Sequence, residues 1–554
     1  MLLPEQSLLL ERVRVLKNSK LNLNGQFVMY CMLNSLRGHE NPALEVAIQL
    51  SNSLNLPILV YTMLNDKWEH ATERRFTFML EALRSVSNEL RSKRNIPLAV
   101  CVQCKARTYK PWHLILGSRN AAAIVVDEPY TEPYVSIVNQ IKRVLAPSIA
   151  VDNACILTPQ AVRFRGLDRA YKFLNATKSK RNSRLSWILK ENILDDHLQI
   201  KSNELYQNLP FETVDLCSVA RTHEKSGNVT TIDSVIKNLV KNIDYDVPKI
   251  VGTKGDSESG YHRWQLFLKH GLKTYDKRRN NVLLHYSYGV SRMSCYLNLG
   301  IVSPFKIVRT ILESKIKNEK FLSEFLCWRE LSYCFCFYNP KYLVLQTVLP
   351  AWAYNTLSKH TVDQRSRLYS LEQLKAFKTV DVLWNLCQQS LVETGELHNN
   401  LRMAWGKQVL LWTDTMENAY KILIYLNDHY ALDGGAPPSY CGIGWCLGLF
   451  DSPKSESKIF GKVRYKSTVS KAKHLNVEKY KEQILTHGVS HSKRKFIALF
   501  SNANQKATVK DANVPCQDFN SKNDGNAQKK NRRDIKGFFQ RPKPLKKARN
   551  VMKC

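Results

Sequence analysis

The sequence is poor in several features that would settle a function class at once. It has no run approaching the ~18 consecutive apolar residues of a membrane-spanning helix, although 44% of its 554 residues are hydrophobic. Its opening stretch, MLLPEQSLLLERVRVL, is too short and too charged for a secretory leader. A soluble intracellular protein is expected. Its N-terminal half has neither GxGxxG nor GxxxxGK[S/T], so nothing there argues for a dinucleotide fingerprint or a P-loop. Its CxxC, Cys101–Cys104, has no second pair at zinc spacing. The 14 cysteines are scattered without a disulfide-like framework, which suits a reducing compartment. No metal is expected, and Cys101 and Cys104 read as strand-end thiols. No internal repeat stands out.

Acidic residues are also scarce. There are 82 Lys+Arg against 48 Asp+Glu, a formal charge of +34. Residues 491–554 hold 17 Lys/Arg and 4 Asp, or +13, which leaves +21 on the rest. The excess is therefore not confined to a tail, and it suits a polyanionic partner.

What is present falls into segments, and the length allows about three or four domains. Residues 1–24 form an N-terminal segment. Over 25–160, short apolar runs (QFVMYCML, LPILVYTML, IPLAVCVQC, AAIVVDEP, SIAVDNACIL) alternate with amphipathic helical stretches. That rhythm predicts βαβ units and a parallel sheet. Residues 161–254 are mixed and polar and read as a connector. Residues 255–485 read as an all-helical domain. Residues 486–554 are too polar to offset their chain entropy and are expected to be a disordered basic tail.

Within the tail, RRDIKGFFQRPKPLKKAR strands Ile535, Phe538 and Phe539 among charges. A short turn would put them on one side as an anchor for a partner groove. The segment 532–539 resembles the sliding-clamp-binding peptide of replication and repair proteins, with Arg532 where a glutamine usually leads. The basic residues 541–549 suit a nuclear import signal or plain DNA attraction. Nuclear placement is expected if the source is eukaryotic.

Three long stretches of the helical part, FLSEFLCWRELSYCFCFYNPKY (321–342), LWNLCQQSLVETGELHNNLRMAWGKQVLLW (383–412) and IYLNDHYALDGG…YCGIGWCLG (424–448), are similar to the FAD-binding half of class II cyclobutane pyrimidine dimer photolyases. IFGKVRY (459–465) continues the match, and the resemblance covers about residues 12–485. It implies an α/β antenna-type domain, a connector and an all-helical domain holding FAD. It also implies light-driven repair, in which excited reduced FAD lends an electron to a flipped-out thymine dimer. A monomer acting on UV-damaged DNA is expected. An antenna chromophore, of a type the sequence does not specify, would belong to the first domain.

The residues carry this unequally. Trp405 and Trp412 lie seven apart, on one helical face and about 10.5 Å apart along the axis at 1.5 Å per residue. Large aromatics there could simply fill a core. By resemblance, Trp405, Trp384 and Trp412 are the electron-transfer chain that reduces the flavin. Arg402 beside them needs an answering carboxylate if buried, and Asp451 matches the family's partner; by resemblance Arg402 also falls among the lesion-binding positions. Met403 matches the methionine that lies against the dimer, or is a core methionine. Glu324 lies four residues before Trp328 on one helical face. Partial desolvation there would favour its protonated form, and the family places it on the dimer carbonyls; otherwise it is a surface glutamate. Trp328 and Trp445 correspond to the aromatic pair that grips the flipped bases. Asn427 matches the asparagine facing flavin N5, where an amide can donate or accept. Tyr275, Ser291, Met293, Ser294 and Asp433 fall at FAD-binding positions, and hydroxyls at a helix start suit a diphosphate or an ordinary N-cap. Arg279 falls at the lesion phosphate, or is a solvated arginine.

The chain also departs from the family pattern. Cys295 and Asn298 replace a proline and a histidine. Tyr333 and Cys334 replace an acidic and amide pair. Gly435, Ala436, Pro438 and Ser439 replace Arg, Asp, Asn and Gly. A signalling flavoprotein of cryptochrome type is the alternative to a repair enzyme, and a flavin-free DNA-binding relic is a third reading. Retention of Glu324, Met403, Trp328 and Trp445 together favours repair.

Overall fold

The computed structural model describes residues 9–22, 24–104, 118–190, 203–216, 232–316 and 318–489. The tail, with Ile535, Phe538 and Phe539, lies outside them. The predicted apolar runs form strands β2 (Phe27–Cys31), β3 (Ile58–Asn65), β4 (Leu98–Gln103), β5 (Ala121–Asp127) and β6 (Ser148–Val151). Their order is β6-β5-β2-β3-β4, all parallel. A further strand, β1 (Val13–Lys17), pairs antiparallel with β6 at the edge. The sheet therefore begins inside the expected N-terminal segment. The reason is local: β1 alternates charged and apolar residues and stays half-exposed, whereas β2, β4 and β5 are buried along their whole length. Cys101 lies within β4 and Cys104 just beyond it, both buried.

Helices α1 (Pro42–Leu54), α2 (Glu73–Arg94) and α3 (Tyr134–Ile141) make the crossovers. Asn41 and Thr72 cap the first two by accepting a backbone N–H, and Asn55 and Asn95 end them in the left-handed conformation. Below the sheet the chain is helical among the described residues. It includes α4 (Ala170–Lys190), α5 (Ser257–His270), α6 (Pro304–Glu313), α7 (Glu330–Tyr338), α8 (Val382–Thr394), α9 (Asn399–Leu410), α10 (Met416–Tyr430) and α11 (Pro437–Cys446). No described helix is long and apolar enough to cross a membrane.

The two lobes share a core. Val28, Val60, Leu80 and Val100 of the α/β lobe cluster with Trp264, Phe267, Tyr296 and Phe305 of the helical lobe. The carboxyl ends of β2 and β5, where the strand order reverses, are the usual ligand crevice of such sheets. Here protein fills that crevice. Asp127 accepts from the backbone N–H of Leu33, Asn34 and Ser35 and from Tyr30 and Asn153. Gly300 of the helical lobe sits so close that a Cβ would meet the Asn34 carbonyl at 2.6 Å.

Two buried arginines fasten the lobes. Arg37 donates to the carbonyls of Gly300 (2.8 Å) and Asn153 (2.9 Å). Arg74, on α2, donates to Leu391 (2.9 Å) and Val392 (2.5 Å) at the end of α8 and to Tyr430 (2.6 Å) at the end of α10. A cation there answers the unpaired carbonyls and the negative end of both helix dipoles. Burial pulls its pKa down to about 10, with Glu393 opposing. Arg74→Met leaves these carbonyls without donors and is expected to cost about 3 kcal/mol or more. The midpoint of chemical denaturation measures it, and an unshifted midpoint would mean that the bonds are replaced at no loss.

Candidate active site

Three elements build one wall of a cavity of about 340 Å³ in the helical lobe. The first is a continuous helical stretch in which Glu324–Arg329 form a π-turn leading into α7. Such turns are frequent at functional sites. Their wider spacing brings Glu324 and Arg329, five apart, to the same cavity. Trp328 instead faces outward and is 37% exposed. Glu324 pairs with Lys320 at 2.7 Å and Arg279 at 3.1 Å.

The second element is α9, closely packed on α11. Gly406 permits this, because a Cβ there would meet Cys446 Sγ at 2.7 Å. Arg402, Met403 and Trp405 line the cavity from this helix. Trp412 lies beyond its end rather than on its face, since the helix stops at Leu410. Trp384 of α8 inserts between the two. It stacks on Trp405 at 6.3 Å and 11°, and meets Trp412 edge-on at 5.3 Å. Trp384 Nε1 donates to the Trp405 carbonyl, and Trp405 Nε1 donates to Gln388. Tyr369, not singled out from sequence, packs edge-on against Trp412 at 5.2 Å. All three indoles are buried.

The third element is α10 with the loop that follows. Arg402 donates to Asp433 Oδ1 from both Nη atoms at 3.0 Å, and to Asn427 Oδ1 at 3.3 Å. The expected Arg402–Asp451 pair is therefore replaced. Asp433 is brought to Arg402 by the turn after α10, while Asp451 is taken by Arg464 at 2.9 Å. Asn427 Nδ2 donates to Asp428, which also accepts from Gly435 N and Tyr440. Asp428 thus anchors the loop whose sequence departs from the family. Asn298 donates to the Gly434 carbonyl and Ser439 to that of Asp433. The substituted Tyr333 meets Tyr130 edge-on at 4.8 Å, with Arg329 over its ring.

Tyr275, Ser291, Met293 and Ser294 line the same cavity as Arg402, Met403 and Asp433. Asn427, Arg279, Trp328 and Trp445 are not among its lining residues. Trp328 and Trp445 are each next in sequence to one that is, Arg329 and Cys446. Lys407, fully buried, donates to the Cys446 carbonyl and lies 4.7 Å over the Trp445 ring. Burial draws its pKa down to about 8.

An ionic cluster that no motif pointed to lies beside the cavity. Glu396 is held bidentately by Arg292 (2.7 and 2.8 Å) and contacted by Arg263 and His285. Arg292 has φ of +54° and lines the cavity. Burial would raise the Glu396 carboxyl, but Arg292, Arg263 and the His285 bond hold it well below the usual range. His398, next to His285, is pushed down to about 3, by burial first and then by His285.

Whether a flavin dinucleotide fits can be judged from the polar atoms left over. Arg402 Nε, a donor, and His285 Nδ1, an acceptor while Nε2 donates to Glu396, are buried and have no hydrogen-bond partner among the described residues. Both residues line the cavity, whose volume is within the range of ligand sites. The residues present fit such a group. Arg402 and Asn427 would hold its ring system, and Ser291 and Ser294 its phosphates.

A large cavity of about 840 Å³ separates the lobes, lined among others by Trp68, His70, Arg75, Tyr134 and Tyr425.

Glu396→Gln removes the carboxylate that three basic side chains share, at an expected cost of about 3 kcal/mol at pH 7. The folded pKa is depressed, so this stability is present above the unfolded glutamate pKa and is lost as pH falls through the folded value. The gap between variant and wild-type melting temperatures should close toward acid. A constant gap would remove the charge from the account.

Comparison with known proteins now bears on this geometry. The DNA photolyase family profile matches residues 28–191. A deoxyribodipyrimidine photo-lyase of Methanothermobacter thermautotrophicus is 30% identical over 86% of this chain and 98% of its own length. A cryptochrome of Synechocystis sp. PCC6803 superposes with a TM-score of 0.58 at 16% identity, covering 83% of this chain and 86% of that one. An archaeal photolyase of Sulfolobus tokodaii, solved with two FAD molecules, does so with 0.52 at 15% identity, covering 76% and 83%. The solved structures speak for the fold, and the Methanothermobacter relative for kinship along nearly its whole length: the chain belongs to the photolyase/cryptochrome family.

Proposed function

We propose that the protein is a DNA photolyase of class II type, which uses light to split cyclobutane pyrimidine dimers with FAD as its cofactor. The observation that carries this reading is the run of indoles leading outward from the cavity. Trp405 forms part of the cavity wall, Trp384 stacks behind it, and Trp412 follows. Any aromatic would pack there; three readily oxidised rings in edge or face contact make a path for an electron. The relatives named deoxyribodipyrimidine photo-lyase support the same activity.

When bound, reduced FAD supplies the light-absorbing centre and the electron lent to the lesion. The protein's own side chains do the rest. Arg402, fixed by Asp433, would hold the cofactor with the Nε–H that it keeps unpaired at the cavity. Asn427, held between Arg402 and Asp428, keeps one amide N–H available. Met403 and Glu324 face the space left for the flipped bases. Binding of a dimer would draw Glu324 away from Lys320 and Arg279 to its carbonyls. Trp328 and Trp445 offer flat surfaces to replace lost base stacking. The basic surface supplies attraction to DNA.

We assign the inter-lobe cavity to an accessory light-harvesting pigment of unspecified type. The tail segment 532–539 is our candidate contact for a sliding clamp. A nuclear address is our reading for a eukaryotic source.

Purified protein is expected to be yellow and to clear dimers from an irradiated oligonucleotide under blue light only. Clearance in darkness would defeat the mechanism, and flavin photochemistry without any clearance would favour a photoreceptor. Trp384→Phe is expected to slow photoreduction of oxidised flavin at least about tenfold, the effect of a ~1.4 kcal/mol change in barrier. It should spare repair by chemically reduced enzyme. Undiminished photoreduction would mean that the electron enters by another route.

A further inference from the structure

Beside the cavity lies a pair of charges that the reading above does not use. Lys466 and Lys471 both donate to one oxygen, Oδ1 of Asn400 in the first turn of α9, at 3.1 and 3.0 Å. The two ammonium groups are therefore no further apart than those two distances together. Both side chains are half-buried. Neither has a carboxylate partner among the described residues. The carboxylate of Asp451 is already engaged by Arg464. Burial lowers the pKa of both lysines, and for Lys466 the neighbouring Lys471 and Arg464 add to it. The fold thus holds two like charges on a single neutral acceptor, an arrangement that an anion would relieve.

The position narrows the anion. Asn400 Nδ2 donates to the carbonyl of Asn280, the residue after Arg279. Asn399, the preceding residue, lines the cavity. Residues 454–481 contain nine Lys/Arg and only two Glu, so the surface around the pair favours a polyanion over a small solute. An ammonium has three donors; each lysine spends one on Asn400 and keeps two.

We infer that Lys466 and Lys471 form a joint seat for one backbone phosphate of the DNA beside the lesion. This rests on the proposed repair function. It sets the lysine pair beside Arg279, to which the resemblance gives another phosphate at the lesion, and does not depend on that arginine. The phosphate takes one oxygen to each ammonium, and Asn400 keeps the two side chains converged.

The test is dark binding of full-length protein to a dimer-containing duplex, followed by fluorescence anisotropy from about 50 to 200 mM salt, where each neutralised phosphate contributes about 0.9 to the slope of log K against log salt. Lys466→Gln/Lys471→Gln keeps amide donors toward Asn400 and removes both charges. Its slope should fall by about 0.9, for one shared phosphate, with no loss of melting temperature. A control pair on the α/β lobe, Lys142→Gln/Arg143→Gln, should leave the slope unchanged. An unchanged slope in the lysine variant overturns the seat, and so does a fall of about 1.8, which would mean two separate phosphates. A lowered melting temperature with an unchanged slope would assign the lysines to the fold and likewise overturn it. Wild-type protein that binds irradiated and unirradiated duplex equally would instead count against the repair reading.

Discussion

Arg74 fixes the geometry on which the site depends. Its guanidinium, rooted in α2 of the α/β lobe, gathers the final carbonyls of α8 and α10. These two helices carry Trp384 and Asn427. The α/β lobe therefore acts as a clamp on the helical lobe as well as a neighbour to it. The interaction is demanding, because a guanidinium buried without a carboxylate in direct contact needs its N–H groups matched by carbonyls. Here a fourth bond, from Nε to the Pro248 carbonyl, adds to the three at the helix ends.

The cavity continues the same logic with ions paired in advance. Arg402 is met by Asp433, Arg292 by Glu396, and Glu324 by Lys320 and Arg279. Each pairing fixes a side chain whose charge would otherwise be costly at a half-buried wall, and leaves selected polar atoms over. Arg402 Nε is the donor left over at this wall, and His285 Nδ1 an acceptor. A wall of this kind is organised before a ligand arrives, and rigid placement of polar groups is what orientation-dependent chemistry requires.

The parallel strands and the helical character of the second lobe were legible in the sequence, because buried parallel strands read as unbroken apolar runs; the order in which the strands pair was not. β1 was not, because a half-exposed edge strand alternates and resembles the start of a polar segment. The tryptophans were legible as residues and as a family trait, but their spatial order was not. A spacing of seven suggested one stripe, whereas the helix ends before Trp412 and Trp384 enters from α8. The Arg402–Asp451 pairing failed for a related reason. Sequence matching names a carboxylate of the right type, but the chain's path decides which one arrives, and the turn after α10 delivers Asp433. The Glu396 cluster was invisible because its members, at 263, 285, 292 and 396, are separated along the chain and meet only through packing. Glu324 was identified by its motif; its partner Lys320 lies four residues earlier on the same helical stretch, while Arg279 arrives only through packing.

The interleaving of Trp384 between Trp405 and Trp412 has a consequence for maturation. No single helix contains the three touching indoles, so the proposed electron path does not exist until α8 and α9 have docked. A collapsed, loosely packed molecule could hold every helix and still be unable to recharge a bound chromophore from outside. Photochemical competence would then be acquired in the last stage of folding, with the closing of a helix interface.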